Sequence, residues 1–210
     1  MNLKEKLKSN PKIKQLVLWM LMPKNQARPR LWVKWFVNPF FHKRGKGSRI
    51  RSRSRMDVMP FNSFELGQNS TIEDFTAINN GVGAVRIGDR CRVGLGSVLI
   101  GPVELGNDVG LAQHVVMSGL NHSYENIQLP IFKQAVSTKP IVIKDETWIG
   151  ANVFIAAGIT IGRHCVVAGG SVVTKDVPDY SLVAGNPAKI IKQYDAVSNT
   201  WIRIQPTKTN

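Results

Sequence analysis

Four histidines, two cysteines and a group of lysines towards the C-terminus are the side chains of this 210-residue sequence best suited to chemistry. An imidazole ordinarily titrates near pH 6.5, so a histidine can take up and return a proton around neutrality. A zinc site needs three or four convergent ligands at characteristic spacings. Here His114 and His122 are eight residues apart, His164 lies far beyond them and no CxxC pair occurs, so no metal is expected. Cys91 and Cys165 are too few for a disulfide framework and fit a reducing cytoplasm. Proton transfer by a histidine is the chemistry that remains, and the question becomes which histidine the fold presents.

The elements that position these residues follow from a period of six. The stretch IGANVFIAAGITIGRHCVVAGGSVV (residues 149–173) repeats a branched aliphatic every sixth residue. The same register holds Leu66, Ile72, Ile78; Ile87, Val93, Leu99; Leu105, Leu111, Met117; and Ile143, Ile149, Ile155, Ile161, Val167, Val173. Four residues beyond each aliphatic sits a small or β-branched residue, among them Ser70, Thr76, Cys91, Ser97, Thr147, Cys165 and Ser171. Side chains alternate along a strand, so residues i and i+4 share a face. Three short strands and three turns close an 18-residue coil whose copies stack as parallel strands, which is the hexapeptide β-helix. The fold is therefore expected to be all-β, a parallel β-helix over residues 50–178. Residues 50–64 form a degenerate first coil or a cap. Cys91 and Cys165 fall in the small inward slot, as core filling.

Two interruptions mark the repeat. Three extra residues fall at the glycine-rich GVGA, and about twenty are extruded between Gly119 and Pro140. His114 and His164 each lie three residues past an inward aliphatic and should point outward as ordinary surface residues. His42 belongs to the basic FFHKR. His122, in SGLNHSY, sits on the long excursion (119–140), and long loops on rigid scaffolds carry function more often than the scaffold does.

Both ends need covers. Pro178 and Pro187 stop the repeat, leaving 179–210 as a short C-terminal tail. Residues 1–49 form a basic N-terminal segment, expected to be a helical cap. The formal charge of +14 resides there: residues 1–55 hold 16 of the 28 Lys and Arg and a single acid, Glu5. The run Leu16–Met22 is far shorter than a membrane span, and no cleavage site follows it. Mixed with Trp, Phe and Leu, the basic residues of 1–55 suit packing on the rest of the molecule or an anionic membrane surface. Nucleic acid is disfavoured because no recognisable binding module accompanies the charge.

The blocks IGANVFIAAGITIGRHCVVAGGSVVTKDVP and AGNPAK, with WIG before them and an extruded loop bearing NH, closely resemble the hexapeptide-repeat acyltransferases, in particular the sugar and polysaccharide O-acetyltransferases. The resemblance covers about residues 66–192. It implies a left-handed β-helix, a homotrimer, and acetyl-CoA lying between neighbouring subunits. It implies His122 as the general base. It places Ala151 and Gly169 along the pantetheine path, Thr174 and Lys175 at the cofactor, and Lys189 and Lys192 near its phosphates. The expected activity is acetyl-CoA-dependent O-acetylation of a sugar, in surface polysaccharide assembly, in the cytoplasm or peripheral to the inner face of the membrane. The acceptor, the choice of oxygen or nitrogen and the acyl length stay open. A non-catalytic β-helix scaffold and a zinc enzyme of the γ-type carbonic anhydrase class are the rival readings of the same prism.

Overall fold

Each inward aliphatic finds its counterpart one coil away, because a period of six over three sides returns to the same place on the next turn. In the computed structural model, which describes residues 10–204, this gives a left-handed parallel β-helix of about six turns. The first nine residues of the basic segment and the last six of the tail lie outside the described residues. Every one of the register aliphatics from Leu66 to Val173 is buried in one continuous core.

The prism has three faces of parallel strands. The first stacks Lys43–Arg44, Phe64–Leu66, Val85–Ile87, Val103–Leu105, Ile141–Ile143 and Thr160–Ile161. The second stacks Arg49–Ile50, Thr71–Ile72, Arg92–Val93, Gly110–Leu111, Trp148–Ile149 and Val166–Val167, then continues with Ser181–Ala184, Lys189–Asp195 and Thr200–Arg203. The third stacks Arg55–Asp57, Ala77–Asn79, Val98–Ile100, Val116–Ser118, Phe154–Ile155 and Val172–Val173. The turn that begins at Lys43 is complete: Arg44, Ile50 and Met56 pair with Leu66, Ile72 and Ile78.

The small slot has a physical reason beyond volume. Ser70 Oγ donates to Gly88 O at 2.7 Å and accepts from Cys91 N at 2.8 Å. Thr147 Oγ1 donates to Gly162 O at 2.9 Å and accepts from Cys165 N at 3.3 Å. These buried hydroxyls satisfy corner backbone that the strand ladders leave unpaired. The cysteines occupy the same slot, Cys91 Sγ reaching Gly106 O at 3.0 Å and Cys165 Sγ reaching Pro178 O at 3.1 Å. Burial pushes both thiols above their ordinary range, so neither is an available thiolate.

The corners are what matters for function. Between the first and second faces, and between the second and third, every turn from Lys43 to Val173 uses a four-residue link. In every one of these links except 51–54 the third residue sits at positive φ, as at His164 (53°) and His114 (57°). The third corner, from third face back to first, is the variable one: its links run 58–63, 80–84, 101–102, 119–140 and 156–159. Insertion is thus concentrated along one edge of the prism, while most of the positive-φ residues line the other two.

At the N-terminus, α1 (Pro11–Leu21) starts on Asn10, whose side chain accepts from Lys12 N and Ile13 N. A π-helical turn (Val33–Val37) and α2 (Asn38–Phe41) then meet the first coil. Val33 and Asn38 are buried, Asn38 Nδ2 donates to Val58 O at 2.9 Å, and His42 packs edge-on to Phe64. Burial holds the His42 imidazole below its ordinary value, against a weaker opposing pull from the Phe41 backbone. The folded state therefore favours neutral His42. Its contribution to stability is complete above the unfolded value of about 6.5 and declines as pH falls. The melting temperature should drop more steeply between about pH 7 and pH 5 in the wild type than in His42→Phe. Equal slopes in a calorimetric pH series would show that His42 carries no such linkage.

Candidate active site

His122 is presented by a short antiparallel ribbon, Leu120–His122 against Val136–Thr138, in which it lies opposite Val136. The ribbon leaves the prism at the third corner. Its root is pinched shut: Lys139 N donates to Gly119 O at 2.8 Å, and a Cβ on Gly119 would sit 2.7 Å from Pro102 of the coil before. Beyond the ribbon, Gln134 clips the loop, its Nε2 donating to Asn126 O at 2.8 Å and Leu129 O at 3.0 Å. His122 itself is exposed. The loop also exposes apolar side chains, Ile127 at 89% and Phe132 at 75%. A loop internally hydrogen-bonded yet apolar outside is built to lie against something.

Thr174 and Lys175 follow Val172–Val173 at the same third corner, two rungs beyond the Val116–Ser118 strand that feeds the loop. At about 4.8 Å per rung the loop's root and the Thr174–Lys175 pair are about 10 Å apart. Between them Lys139 lies over Gly158, whose φ of 85° and lack of a side chain leave room for the lysine's methylenes. Lys139 was not singled out by sequence spacing. Its signal was its place at the end of the excursion, directly before Pro140.

Ala151 and Gly169 belong to the second corner instead. They are stacked: Gly170 N donates to Ala151 O at 2.8 Å, and a Cβ on Gly169 would come within 3.1 Å of that oxygen. The Gly185–Ala188 turn is laid over the last strand of the third face, through Val172 N to Gly185 O at 3.0 Å and Ala188 N to Val172 O at 2.8 Å. It delivers Lys189 to the same corner. Lys189 and Lys192 face Ala184 and Leu182 across an antiparallel pair with a bulge, which puts two lysines three residues apart on one outward side.

The sequence-derived residues therefore form two groups at opposite ends of one strand. Gly169, Ala151 and the two tail lysines lie at its second-corner end; Thr174, Lys175 and the His122 loop lie at its third-corner end. The outward side chains between are Val172 and, one rung before it, the exposed Phe154, an apolar strip with the two tail lysines open to an anionic group at the second-corner end. Within a single chain the arrangement is an open edge. Two grooves among the described residues lie elsewhere, one beside Glu104, Val142 and Arg163, the other beside Arg92, Glu146 and Trp148. The remaining histidines are apart from the site's loop: His164 Nδ1 lies 3.3 Å from Glu146 Oε2 at the first corner, and His114 caps Gly96 at the second.

Comparison with known proteins agrees with the hexapeptide-repeat fold. Residues 140–175 match the model described as bacterial transferase hexapeptide (six repeats), and residues 84–112 match that of the hexapeptide repeat of succinyl-transferase. A Mycobacterium tuberculosis protein named "probable acetyltransferase" is 32% identical over 176 residues, covering 83% of this chain. The chain spans 55% of that relative's length. Among solved structures, an N-acyltransferase from Bacillus cereus, AntD, in complex with dTDP-4-amino-4,6-dideoxyglucose and coenzyme A, superposes with a TM-score of 0.62 at 21% identity over 72% of this chain and 82% of that one. A maltose O-acetyltransferase from Clostridium difficile 630 gives 0.52 at 23% identity over 91% and 89%.

Proposed function

We propose, from the premise that this chain is a hexapeptide-repeat acyltransferase, that it moves an acetyl group from acetyl-CoA to a sugar hydroxyl in surface polysaccharide assembly. The observation that carries the reading is the third corner: the chain's long excursion, bearing His122, leaves the prism at the edge where Thr174 and Lys175 follow the last strand of the third face. Coenzyme A would run along the last rungs of the third face, its pantetheine arm against Ala151 and Gly169, its phosphates towards Lys189 and Lys192, and its thioester towards the third corner near Thr174 and Lys175.

A neutral alcohol is a weak nucleophile, so its proton must leave as attack proceeds. His122 takes that proton while the sugar oxygen attacks the thioester carbonyl. A backbone N–H stabilises the oxyanion. The C–S bond then breaks, the imidazolium returns its proton to the departing sulfur, and the products are the sugar ester and free CoA. The donor is already activated and both thiols are buried, which favours direct transfer without an acyl-enzyme.

Three copies of the chain would complete the site, with the exposed loop side chains covered by a neighbour and the cofactor at the seam between them. A sugar partner is supported by the structural neighbours: the B. cereus enzyme was solved with a nucleotide-linked amino sugar and coenzyme A, and the C. difficile enzyme is named for O-acetylation of maltose. Release of the CoA thiol from acetyl-CoA, followed over free, nucleotide-linked and lipid-linked sugars, tests the proposal. Turnover with a hydroxyl acceptor and an ester product is expected. An amide product would move the acceptor to an amino sugar, and absence of CoA binding by calorimetry would overturn acyl transfer altogether.

A further inference from the structure

The segment that joins the helical N-terminus to the prism has two unlike sides. Val33 and Asn38 are buried and tie it to the first coil, Asn38 by its hydrogen bond to Val58 O. On the other side Trp35 is 65% exposed, Phe36 74% and Phe40 85%, with Leu31 and Trp32 also open to solvent. No part of the described chain covers this face. Lys34 Nζ is 5.9 Å from the Trp35 ring centroid, and Lys34, like Lys24 and Arg44 in the flanking chain, has no carboxylate partner among the described residues. Asp57, next to the Val58 that holds Asn38, is already taken by Arg28 at 3.8 Å and Arg55 at 2.8 Å.

We propose that this aromatic and basic face docks on the surface of an anionic lipid bilayer. Large aromatic side chains partition into the boundary between headgroups and acyl chains, while lysine and arginine beside them meet anionic headgroups. Either signal alone binds weakly and the two together bind stably. The charge argues against the chief competitor, a second copy of the chain. Residues 1–55 carry 16 Lys and Arg against one acid, so two such faces brought together would repel. A bilayer supplies the opposite charge and the apolar phase at once. No helix of the described residues is long and apolar enough to cross a membrane, so the contact is one of docking. The rigid tie through Asn38 means that docking would also fix the orientation of the prism relative to the bilayer.

The test is flotation of the full chain with vesicles of phosphatidylcholine alone and of phosphatidylcholine with phosphatidylglycerol. A variant combining Trp35→Ser, Phe36→Ser and Phe40→Ser is compared after its melting temperature is shown to match the wild type, as exposed positions allow. The wild type should float with the anionic vesicles and stay behind with the neutral ones. The variant should lose at least about tenfold in partition, and raising the salt should weaken binding of both. No flotation of the wild type, or equal flotation of wild type and variant, overturns the proposal. So does a change of oligomeric state in the variant with flotation unchanged, which would assign the face to another copy. Binding to a duplex oligonucleotide lost in the same variant, without flotation, would assign it to nucleic acid.

Discussion

Replacing His122 with alanine is expected to lower kcat/KM for acyl transfer by about 10²–10⁴-fold, the usual worth of a general base. The side chain is exposed on a two-stranded ribbon and supports no core contact, so the melting temperature should hold. The affinity for CoA should hold as well, because the groups assigned to the cofactor lie on the coils and tail rather than on the ribbon. His114→Ala and His164→Ala are the controls. Both histidines occupy the outward, positive-φ position of regular four-residue corners, and His164 is engaged with Glu146. Both should turn over close to the wild-type rate. Wild-type turnover by His122→Ala would show that the base is another group, whatever the fate of the fold assignment.

The second large effect concerns the wall that holds the loop. Ile149 is wholly buried, with Leu111 on the coil before and Val167 on the coil after. Ile149→Ala removes the middle of a stacked column whose neighbours cannot collapse into the gap, since the strand ladders above and below fix their spacing. A loss of about 2–5 kcal/mol in unfolding free energy is expected, read from denaturant midpoints with the slope unchanged. Contacts in a solenoid run mainly to adjacent turns, so the damage should spread to the coils that carry the loop and the Thr174–Lys175 pair. A loss below about 0.5 kcal/mol, the size of a surface substitution, would mean that the hexad register is not what holds the prism together.

The core was legible because a single rule repeats. Each residue in the six-residue register from Leu66 to Val173 is buried, and where the slot four residues on holds Ser, Thr or Cys, as at Ser70, Thr147 and Cys165, its hydroxyl or thiol reaches the backbone of the next corner. Where the rule lapses, the reading thins. Val82 occupies a register slot by counting yet is exposed, because it falls in the 80–84 link and Val85 takes the inward place. The same link is held by a device no periodicity announces. Buried Asn80 accepts from Met59 N and donates to Met59 O and Asn62 O. The first coil was faint for a related reason: Arg44 stands where an aliphatic is expected, and the outward positions are filled by arginines that pair with Glu73 and Asp57.

The functional edge was legible only in part. The excursion and its histidine could be seen as a break in a regular pattern. That the break shares a corner with Thr174 and Lys175, and that Ala151 and Gly169 stack at the opposite end of the same strand, depends on counting links around three faces. Lys139 became visible only once its methylenes were seen to cover Gly158. The mixture of Trp, Phe and basic residues in 1–55 was visible in the sequence, but which of residues 31–41 face outward was not, because the spacing does not show that Val33 and the polar Asn38 are the buried ones.

A crystal structure of the chain with coenzyme A and acceptor tests the central claim most directly. It should show the sulfur end of the cofactor at the third corner, beside Thr174 and Lys175, with a nitrogen of a His122 imidazole within about 2.6–3.2 Å of the acceptor hydroxyl or joined to it through one water. A cofactor bound on the first or second face, with the His122 ribbon remote from its sulfur, would contradict the account.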